Sequence, residues 1–200
     1  FEKHVEDYYN DYDVEILLPH QLSQLGPAIA IGDINKDGLD DLYIGGARSY
    51  FGNVYMQNPN GTYSKKQNPS IEADRKYEDV AAVFFDANND GNLDLYVCSG
   101  SNEYPEQSDF YQDRIYLGDG QFGFDKAETL IPEITSSTGS ISKCDFDKDG
   151  DIDLFVGGRV VPGKYPRAPR SYLLVNDNNT FVDKTSQINA ELENIGMVTS

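Results

Sequence analysis

Three stretches of the chain repeat one order of apolar and polar positions. Each has a short strand-like run, then nine residues rich in Asp, Asn and Gly, then Leu, an aromatic residue and Ile or Val. The nine-residue segments are Asp33–Asp41, Asp86–Asp94 and Asp145–Asp153. Their first aspartates lie 53 and then 59 residues apart. A self-similar unit of this length predicts a repeat architecture.

The runs that follow these segments are apolar on both faces of a strand. In the first run Leu42 and Ile44 point one way and Tyr43 points the other, because side chains alternate along a strand. A strand that is apolar on both sides has to be covered on both sides. The pattern therefore predicts sheets that stack face against face.

A hairpin pattern follows each of these runs. Two short β-prone runs flank turn residues at 58–61, 118–120 and 176–179, where Asn, Asp and Gly dominate. Each repeat thus contains four predicted strands: one before the nine-residue segment, one after it, and two in the hairpin. No stretch shows a sustained helical period, so the predicted class is all-β.

Four strands in 50 to 60 residues are typical of a β-propeller blade. The predicted organisation is a lead-in at 1–26, blades at 27–78, 79–137 and 138–194, and the start of a truncated fourth repeat at 195–200. Propellers use about four to eight blades, so we expect three blades to belong to a larger propeller. The alternatives are a β-sandwich with loops at its rim and an open fragment whose edges the lead-in or a second copy covers.

The nine-residue segments have the form Asp-x-Asp/Asn-x-Asp-Gly-x-x-Asp. Calcium prefers six to eight oxygen ligands, and a tight turn brings positions one, three and five around one point. The glycine at position six permits the bend, position seven offers its backbone carbonyl, and the aspartate at position nine closes the shell. The predicted ligands are Asp33, Asn35, Asp37, Leu39 and Asp41; Asp86, Asn88, Asp90, Asn92 and Asp94; and Asp145, Asp147, Asp149, Asp151 and Asp153.

Other interpretations of these loops fit less well. An EF-hand requires Glu at position twelve and flanking helices, whereas position twelve here is Ile44, Val97 or Val156 within a predicted strand. Magnesium prefers a small octahedral shell, and zinc and copper lack their usual ligands in the loops. A solvated turn is the alternative for one loop, but three in register favour three structural Ca²⁺ sites. The third loop has aspartate at position three, so we expect it to bind most tightly.

Composition and net charge restrict the classes of partner that we expect for this chain. The net charge of −18 argues against nucleic acid and anionic membranes, and no stretch approaches a membrane-spanning helix, so no membrane insertion is expected. Two cysteines, Cys98 and Cys144, are too few for a disulfide scaffold. Both lie in strand-like runs, and we expect buried free thiols rather than a disulfide. No signal peptide is visible at the start of the sequence, which looks like a piece of something longer.

These residues resemble the FG-GAP family of VCBS-like repeats, best known from integrin α-subunit propellers. The resemblance rests on the loops and on Asp-Leu-aromatic-Ile/Val-Gly-Gly runs at 41–46 and 153–158; the second repeat has Cys98-Ser99 in place of Gly-Gly. It implies a seven-bladed propeller, calcium in the loops and an extracytoplasmic setting, meaning secreted, periplasmic or cell-surface.

Two functions compete at this point. We expect a non-enzymatic module that binds a protein or a glycan, because no nucleophile–His–Asp set is present and the Tyr-rich segments 104–111 and 159–172 could form a recognition surface. The alternative is part of a propeller lyase or hydrolase. In that case an acidic polysaccharide substrate would bind to a basic, proline-rich insert with the cations Arg159, Lys164, Arg167 and Arg170. The favoured interpretation of the insert is a surface loop that balances the charge of an acidic protein.

Overall fold

The computed structural model describes residues 3–199 and is built of three four-stranded antiparallel sheets, which we call blades 1 to 3. Blade 1 contains β1 (Ile29–Gly32), β2 (Asp41–Ile44), β3 (Asn53–Gln57) and β4 (Tyr63–Lys66). Blade 2 contains β5 (Asp79–Phe85), β6 (Asp94–Ser99), β7 (Arg114–Gly118) and β8 (Phe124–Lys126). Blade 3 contains β9 (Ser137–Cys144), β10 (Asp153–Val160), β11 (Tyr172–Asn176) and β12 (Phe181–Asp183). The all-β, blade-like prediction is confirmed.

Each blade is an up-and-down sheet whose strands pair in chain order. The first two strands pair right up to the nine-residue loop, since Gly32 lies opposite Asp41, Phe85 opposite Asp94 and Cys144 opposite Asp153. All three loops therefore close hairpins at the same end of their blades. We call this the loop end, and the other end of the strands the far end.

The hydrophobic core lies between the blades rather than inside any one of them. One cluster joins blade 1 to blade 2, with Tyr43 and Val54 packed among Phe84, Leu95 and Tyr116. A second cluster joins the other face of blade 2 to blade 3, where it includes residues such as Phe85, Tyr96, Leu154 and Leu174. All six residues of β6 are buried. The predicted face-to-face stacking is confirmed for the central blade.

Blade 1 has a second face that is only partly covered. On β1, Ala30 is buried against blade 2, whereas Ile29 and Ile31 on the other face are 57% and 62% exposed. Leu42 and Ile44 on β2 are half-buried. A larger propeller, in which another blade covers this face, stays a prediction.

Helical structure is confined to short connections: α1 (Pro69–Ala73), α2 (Thr185–Asn189) and 3-10 turns at Asp11–Asp13, Asp109–Tyr111 and Ala190–Asn194. The lead-in packs Leu18 and Leu22 against Val160 of blade 3. Residues 195–199 contain no strand, and residue 200 lies outside the described residues, so the truncated fourth repeat stays a prediction. Among the helices of residues 3–199, none has the length and apolar character needed to cross a membrane.

The two cysteines differ in their surroundings. Both are free, as expected; Cys98 is buried in the core between blades 2 and 3. The expected burial of Cys144 was wrong, because this side chain is exposed. Cys144 is the last residue of β9 and lies beside the exposed third loop, beyond the part of the strand that the core covers.

Candidate metal centre

The three loops adopt one backbone conformation. Position four has a positive φ in each loop: 60° at Lys36, 57° at Asn89 and 65° at Lys148. Position six has φ of 85°, 84° and 103° at Gly38, Gly91 and Gly150. A Cβ on Gly38 or Gly150 would meet nothing within 4 Å, so glycine is needed there for its backbone freedom and not for space.

The aspartate at position one orders the turn by accepting backbone N–H groups. Asp33 accepts from Asp37 N at 3.0 Å and Gly38 N at 2.8 Å, and Asp86 accepts from Asp90 N at 3.2 Å and Gly91 N at 2.8 Å. In the third loop Asp145 accepts from Gly150 N at 3.2 Å. The carboxylate is thus held over the turn before any ion arrives.

Position three separates the third loop from the other two. The Asn35 amide donates to Asp37 Oδ2 at 2.9 Å, and the Asn88 amide donates to Asp90 Oδ2 at 3.1 Å. Asp147 has no N–H to donate, so its carboxylate lies near that of Asp149 without such a bridge. Partial desolvation and the neighbouring carboxylates of Asp149 and Asp153 raise the pKa of Asp147. A cation would relieve this repulsion.

The third loop also brings three carboxylates within reach of one ion. Asp145, Asp147 and Asp149 each offer an oxygen, and these oxygens lie within 4.8 Å of one another. Among residues 3–199 this is the one cluster of three or more His, Cys, Asp or Glu side chains that is compact enough to hold a metal. Loops one and two have the same shape with an amide oxygen in place of the central carboxylate.

Position seven has an additional role that the sequence did not indicate. Its backbone N–H donates to the carboxylate at position five, at 2.9 Å from Leu39 to Asp37 and 2.7 Å from Asn92 to Asp90. Its side chain joins neighbouring loops: Lys36 Nζ donates to Asn92 Oδ1 at 2.9 Å. Likewise Asn89 Nδ2 donates to Asp151 Oδ1 at 2.6 Å. Position four of the first loop therefore contacts position seven of the second, and position four of the second contacts position seven of the third.

The aspartates at position nine are buried and already occupied. Asp41, Asp94 and Asp153 are each 0% exposed. One oxygen of each carboxylate accepts the backbone N–H of position two of its own loop, from Ile34 at 3.0 Å, Ala87 at 2.8 Å and Phe146 at 2.7 Å. The other accepts an N–H at the loop end of the third strand, from Gln57 at 2.9 Å, Gly118 at 2.8 Å and Asn176 at 2.8 Å.

This arrangement makes position nine a connection between the loop and the third strand of each blade. Burial raises the pKa of Asp41, and it raises the pKa of Asp94 to about 6, although the backbone donors pull the other way. A carboxylate oxygen has further acceptor capacity, so these residues remain candidate ligands. Asp153 is not a member of the compact carboxylate group.

The donor set suits a hard cation. Carboxylate, amide and carbonyl oxygens are the ligands that calcium takes, and its flexible coordination tolerates the mixture of Asp and Asn at position three. The two histidines are engaged elsewhere: His4 lies against Glu6 at 2.5 Å, and His20 lies 3.2 Å from Arg159. The residues present therefore fit calcium better than zinc or copper.

The basic insert that favoured an enzyme on acidic polysaccharide is largely neutralised within the chain. Arg170 pairs with Asp183 at 2.7 Å and with Glu193 at 2.8 Å. Glu106 contacts both Lys164 and Arg167, the latter at 3.4 Å. These contacts favour the simpler interpretation, a surface loop that offsets local negative charge.

Sequence reasoning missed a buried polar network at the far end. Arg114 pairs with Asp79 at 2.5 Å, both side chains are under 5% exposed, and Tyr43 donates to the same aspartate at 2.7 Å. The guanidinium also lies 4.4 Å from the centre of the Tyr77 ring. Nothing in the repeat pattern indicated it, because only blade 2 has Arg at the start of its third strand.

Comparison with known families agrees with the loops and the blades. Residues 33–97, from the start of the first loop into β6, match the model of the FG-GAP-like repeat. Over this segment the chain is similar to an FG-GAP-like repeat. The matched segment contains the first two loops, and the third loop of this repeat protein has the same geometry outside it.

Among solved structures, 37 chains match. One is named "Crystal structure of putative exo-beta-1,3-galactanase from Bifidobacterium bifidum s17"; it is 13% identical, with a TM-score of 0.45. The alignment covers 77% of this chain and 50% of that chain, so this chain spans about half the length of this neighbour. No curated protein sequence matches.

Proposed function

We propose that this FG-GAP-like chain is a non-enzymatic, calcium-stabilised module of a secreted or surface protein, and that it binds a protein or a glycan. The observation that carries the calcium proposal is the third loop, in which three exposed carboxylates offer oxygens within 4.8 Å of one another. Loops one and two repeat its backbone conformation. The role of calcium is structural, because each site stiffens the hairpin between the first two strands of a blade.

The extracytoplasmic setting follows from the need for calcium. Modules of this kind bind calcium at about 10⁻⁴–10⁻³ M, a concentration found outside the cytoplasm. A site that binds only the folded chain stabilises it by about 2.7 kcal/mol when calcium exceeds the dissociation constant 100-fold. Three such sites in one chain would couple folding to the external calcium concentration.

Calcium titration by calorimetry, with thermal unfolding in parallel, tests this proposal. We expect binding that saturates near three ions per chain, a rise in melting temperature with calcium, and a much smaller rise with magnesium. Absence of heat and of a shift in melting temperature at 10 mM calcium, about tenfold above the weakest expected constant, would contradict it.

A matched pair of variants in the third loop sharpens the experiment. Asp149→Asn removes a carboxylate ligand, whereas Asp151→Asn makes the same change of charge at position seven, where only the backbone carbonyl would bind. We expect the first to weaken the third site at least tenfold and the second to leave it within about twofold. Equal losses would mean that net charge, and not ligand geometry, holds the ion.

A further inference from the structure

A pocket at the far end of blades 1 and 2 lies away from all three loops. Its walls come from the segment after β2 (Arg48, Ser49), the segment before β5 (Arg75, Lys76) and the segment after β6 (Tyr104, Phe110). The cavity measures about 470 Å³ and opens to solvent. Sites for small molecules and single sugar units have volumes in this range. We call it the far-end pocket.

One wall of the far-end pocket is a fixed arginine. Arg48 Nε contacts Asp7 at 3.2 Å and Glu103 at 3.1 Å. Its backbone N–H donates to Glu78 Oε2 at 2.7 Å. Asp7 of the lead-in and Glu103 of the segment after β6 therefore balance the charge of Arg48, and the Glu78 carboxyl holds its backbone in place.

The other two cations carry charge that no ion pair balances within the described part of the chain. Arg75 and Lys76 are exposed, and within residues 3–199 neither side chain forms an ion pair. Lys76 Nζ lies 4.8 Å from the centre of the Tyr77 ring. This differs from the basic insert, where Lys164, Arg167 and Arg170 all contact carboxylates.

A pair of aromatic rings forms the opposite wall. The centres of the Tyr104 and Phe110 rings lie 4.3 Å apart with a tilt of 32°. The Tyr104 backbone is pinned by the buried Tyr111, whose hydroxyl accepts from Tyr104 N at 3.0 Å and donates to Tyr104 O at 2.8 Å. The Tyr104 backbone is therefore fixed, and contact with the Phe110 ring restricts the Tyr104 ring, which lowers the entropic cost of binding.

These features select the charge and the size of a ligand. A guanidinium and an ammonium that form no ion pair within residues 3–199 suit a carboxylate. A long polyanion is disfavoured, because the net charge of −18 repels it outside the pocket. A small monoanion escapes most of that repulsion. The aromatic wall additionally favours a ligand with a flat, partly apolar ring face.

We propose that the far-end pocket binds a carboxylate-bearing sugar unit, a uronic acid, with its carboxylate at Arg75 and Lys76 and its ring against Tyr104 and Phe110. The proposal deepens the proposed function, since it names the glycan class that the module would recognise. It does not depend on calcium, because the pocket and the loops lie at opposite ends of the strands.

The test is a titration of the intact chain, in calcium, with glucuronate, galacturonate, glucose and a short oligoglutamate peptide, followed by amide NMR shifts. We expect saturable shifts with a uronate in residues 48–49, 75–76 and 103–111, and at least tenfold weaker binding of glucose. Equal binding of uronate and glucose, shifts elsewhere in the chain, or binding of the peptide alone would overturn the proposal. The last result would point to a protein partner.

Two double variants make the assignment specific. Arg75→Ala with Lys76→Ala removes two exposed side chains and should weaken uronate binding at least tenfold. Lys164→Ala with Arg167→Ala removes the same charge from the basic insert and should leave uronate binding unchanged. The reverse pattern would place the anion at the insert.

Calcium calorimetry on the same samples separates the two proposals. If calcium binds and uronate does not, only the far-end pocket proposal is contradicted. If uronate binds and calcium does not, only the metal proposal is contradicted.

Discussion

The two ends of the blades use aspartate in opposite ways. At the far end Asp79 is buried and paired with Arg114, so its charge is satisfied inside the chain. At the loop end the aspartates at positions one and five carry charge that no Lys or Arg among residues 3–199 balances by an ion pair, and most are exposed. The same residue type thus serves as framework at one end and forms a candidate metal site at the other. The difference lies in whether the chain itself supplies the counter-charge.

The largest expected effect comes from breaking the far-end pair. Arg114→Met keeps the volume but leaves Asp79 buried without a counter-charge, which costs about 3–5 kcal/mol. Urea unfolding should show the same loss with calcium and with chelator, because the pair is remote from the loops. Arg167→Met, at an exposed ion pair, should cost less than about 1 kcal/mol. A similar loss in both variants would contradict the claim that burial gives the Arg114–Asp79 pair its larger contribution.

The second effect concerns Glu78, a far-end carboxyl that is 3% exposed. Burial raises the pKa of Glu78 from an ordinary value of 4.5 to about 8, so between these pH values the folded chain holds a proton that the unfolded chain releases. Stability should therefore fall as pH rises, by about 1.4 kcal/mol per pH unit across this window. Between pH 5 and 7 the loss approaches about 3 kcal/mol.

Glu78→Gln should remove this contribution, since the amide keeps an acceptor for Arg48 N and does not ionise. Urea unfolding of both proteins from pH 5 to 8 measures the difference. Burial also raises the pKa of Asp113, to about 7, so the variant should keep part of the slope. Parallel pH profiles for the variant and the parent would show that Glu78 is ionised in the folded chain.

The third prediction separates two roles of aspartate at the loop end, at positions five and nine. Asp94→Ala deprives Ala87 N and Gly118 N of their acceptor, and we expect a loss of about 2 kcal/mol even in chelator, because these donors are buried and the loop loses its link to β7. Asp90→Ala should leave the free energy of unfolding nearly unchanged in chelator and lower it only when calcium is present. Urea unfolding with and without calcium separates the two roles. If Asp94→Ala and Asp90→Ala lose the same stability in each condition, position nine acts only as a ligand.

The smallest effect compares the loops with one another. Asp147→Asn gives the third loop the composition of the other two, and it should weaken that site roughly tenfold, or ~1.4 kcal/mol. Asn88→Asp should strengthen the second site by a similar factor. Calcium calorimetry on both variants measures these changes. A tighter third site after Asp147→Asn would show that the bridging amide at position three matters more than the added charge.

Much of this arrangement was predictable, because it depends on local rules. The four strands of each repeat follow from alternation and turn residues. The observed hairpin strands lie on either side of the turns predicted at 58–61, 118–120 and 176–179, with at most one residue of overlap. The loop residues at positions one, three, five and six were predictable for the same reason, since each acts within its own turn.

Other features were not predictable, because they join residues from different blades or from opposite sides of a blade. The Arg114–Asp79 pair, the link from Asp94 to Gly118 and the contact of Asn89 with Asp151 each depend on a partner that spacing along the chain does not reveal. The segment containing Tyr104 was predicted as a recognition surface, yet the cations that face it come from blade 1. Cys98 and Cys144 occupy comparable strand-like runs, and only packing decided that one is buried and the other exposed.

The amino-acid sequence by itself determined the repeat, the strand order within each blade and the shape of the nine-residue turns, because these depend on backbone conformation and alternation over a few neighbouring residues. The tertiary structure decided which strand faces are covered, which carboxylates are buried and which cations remain unpaired. Those outcomes depend on the stacking of one blade upon the next, which sets the local dielectric and the distance between charges far apart in the chain.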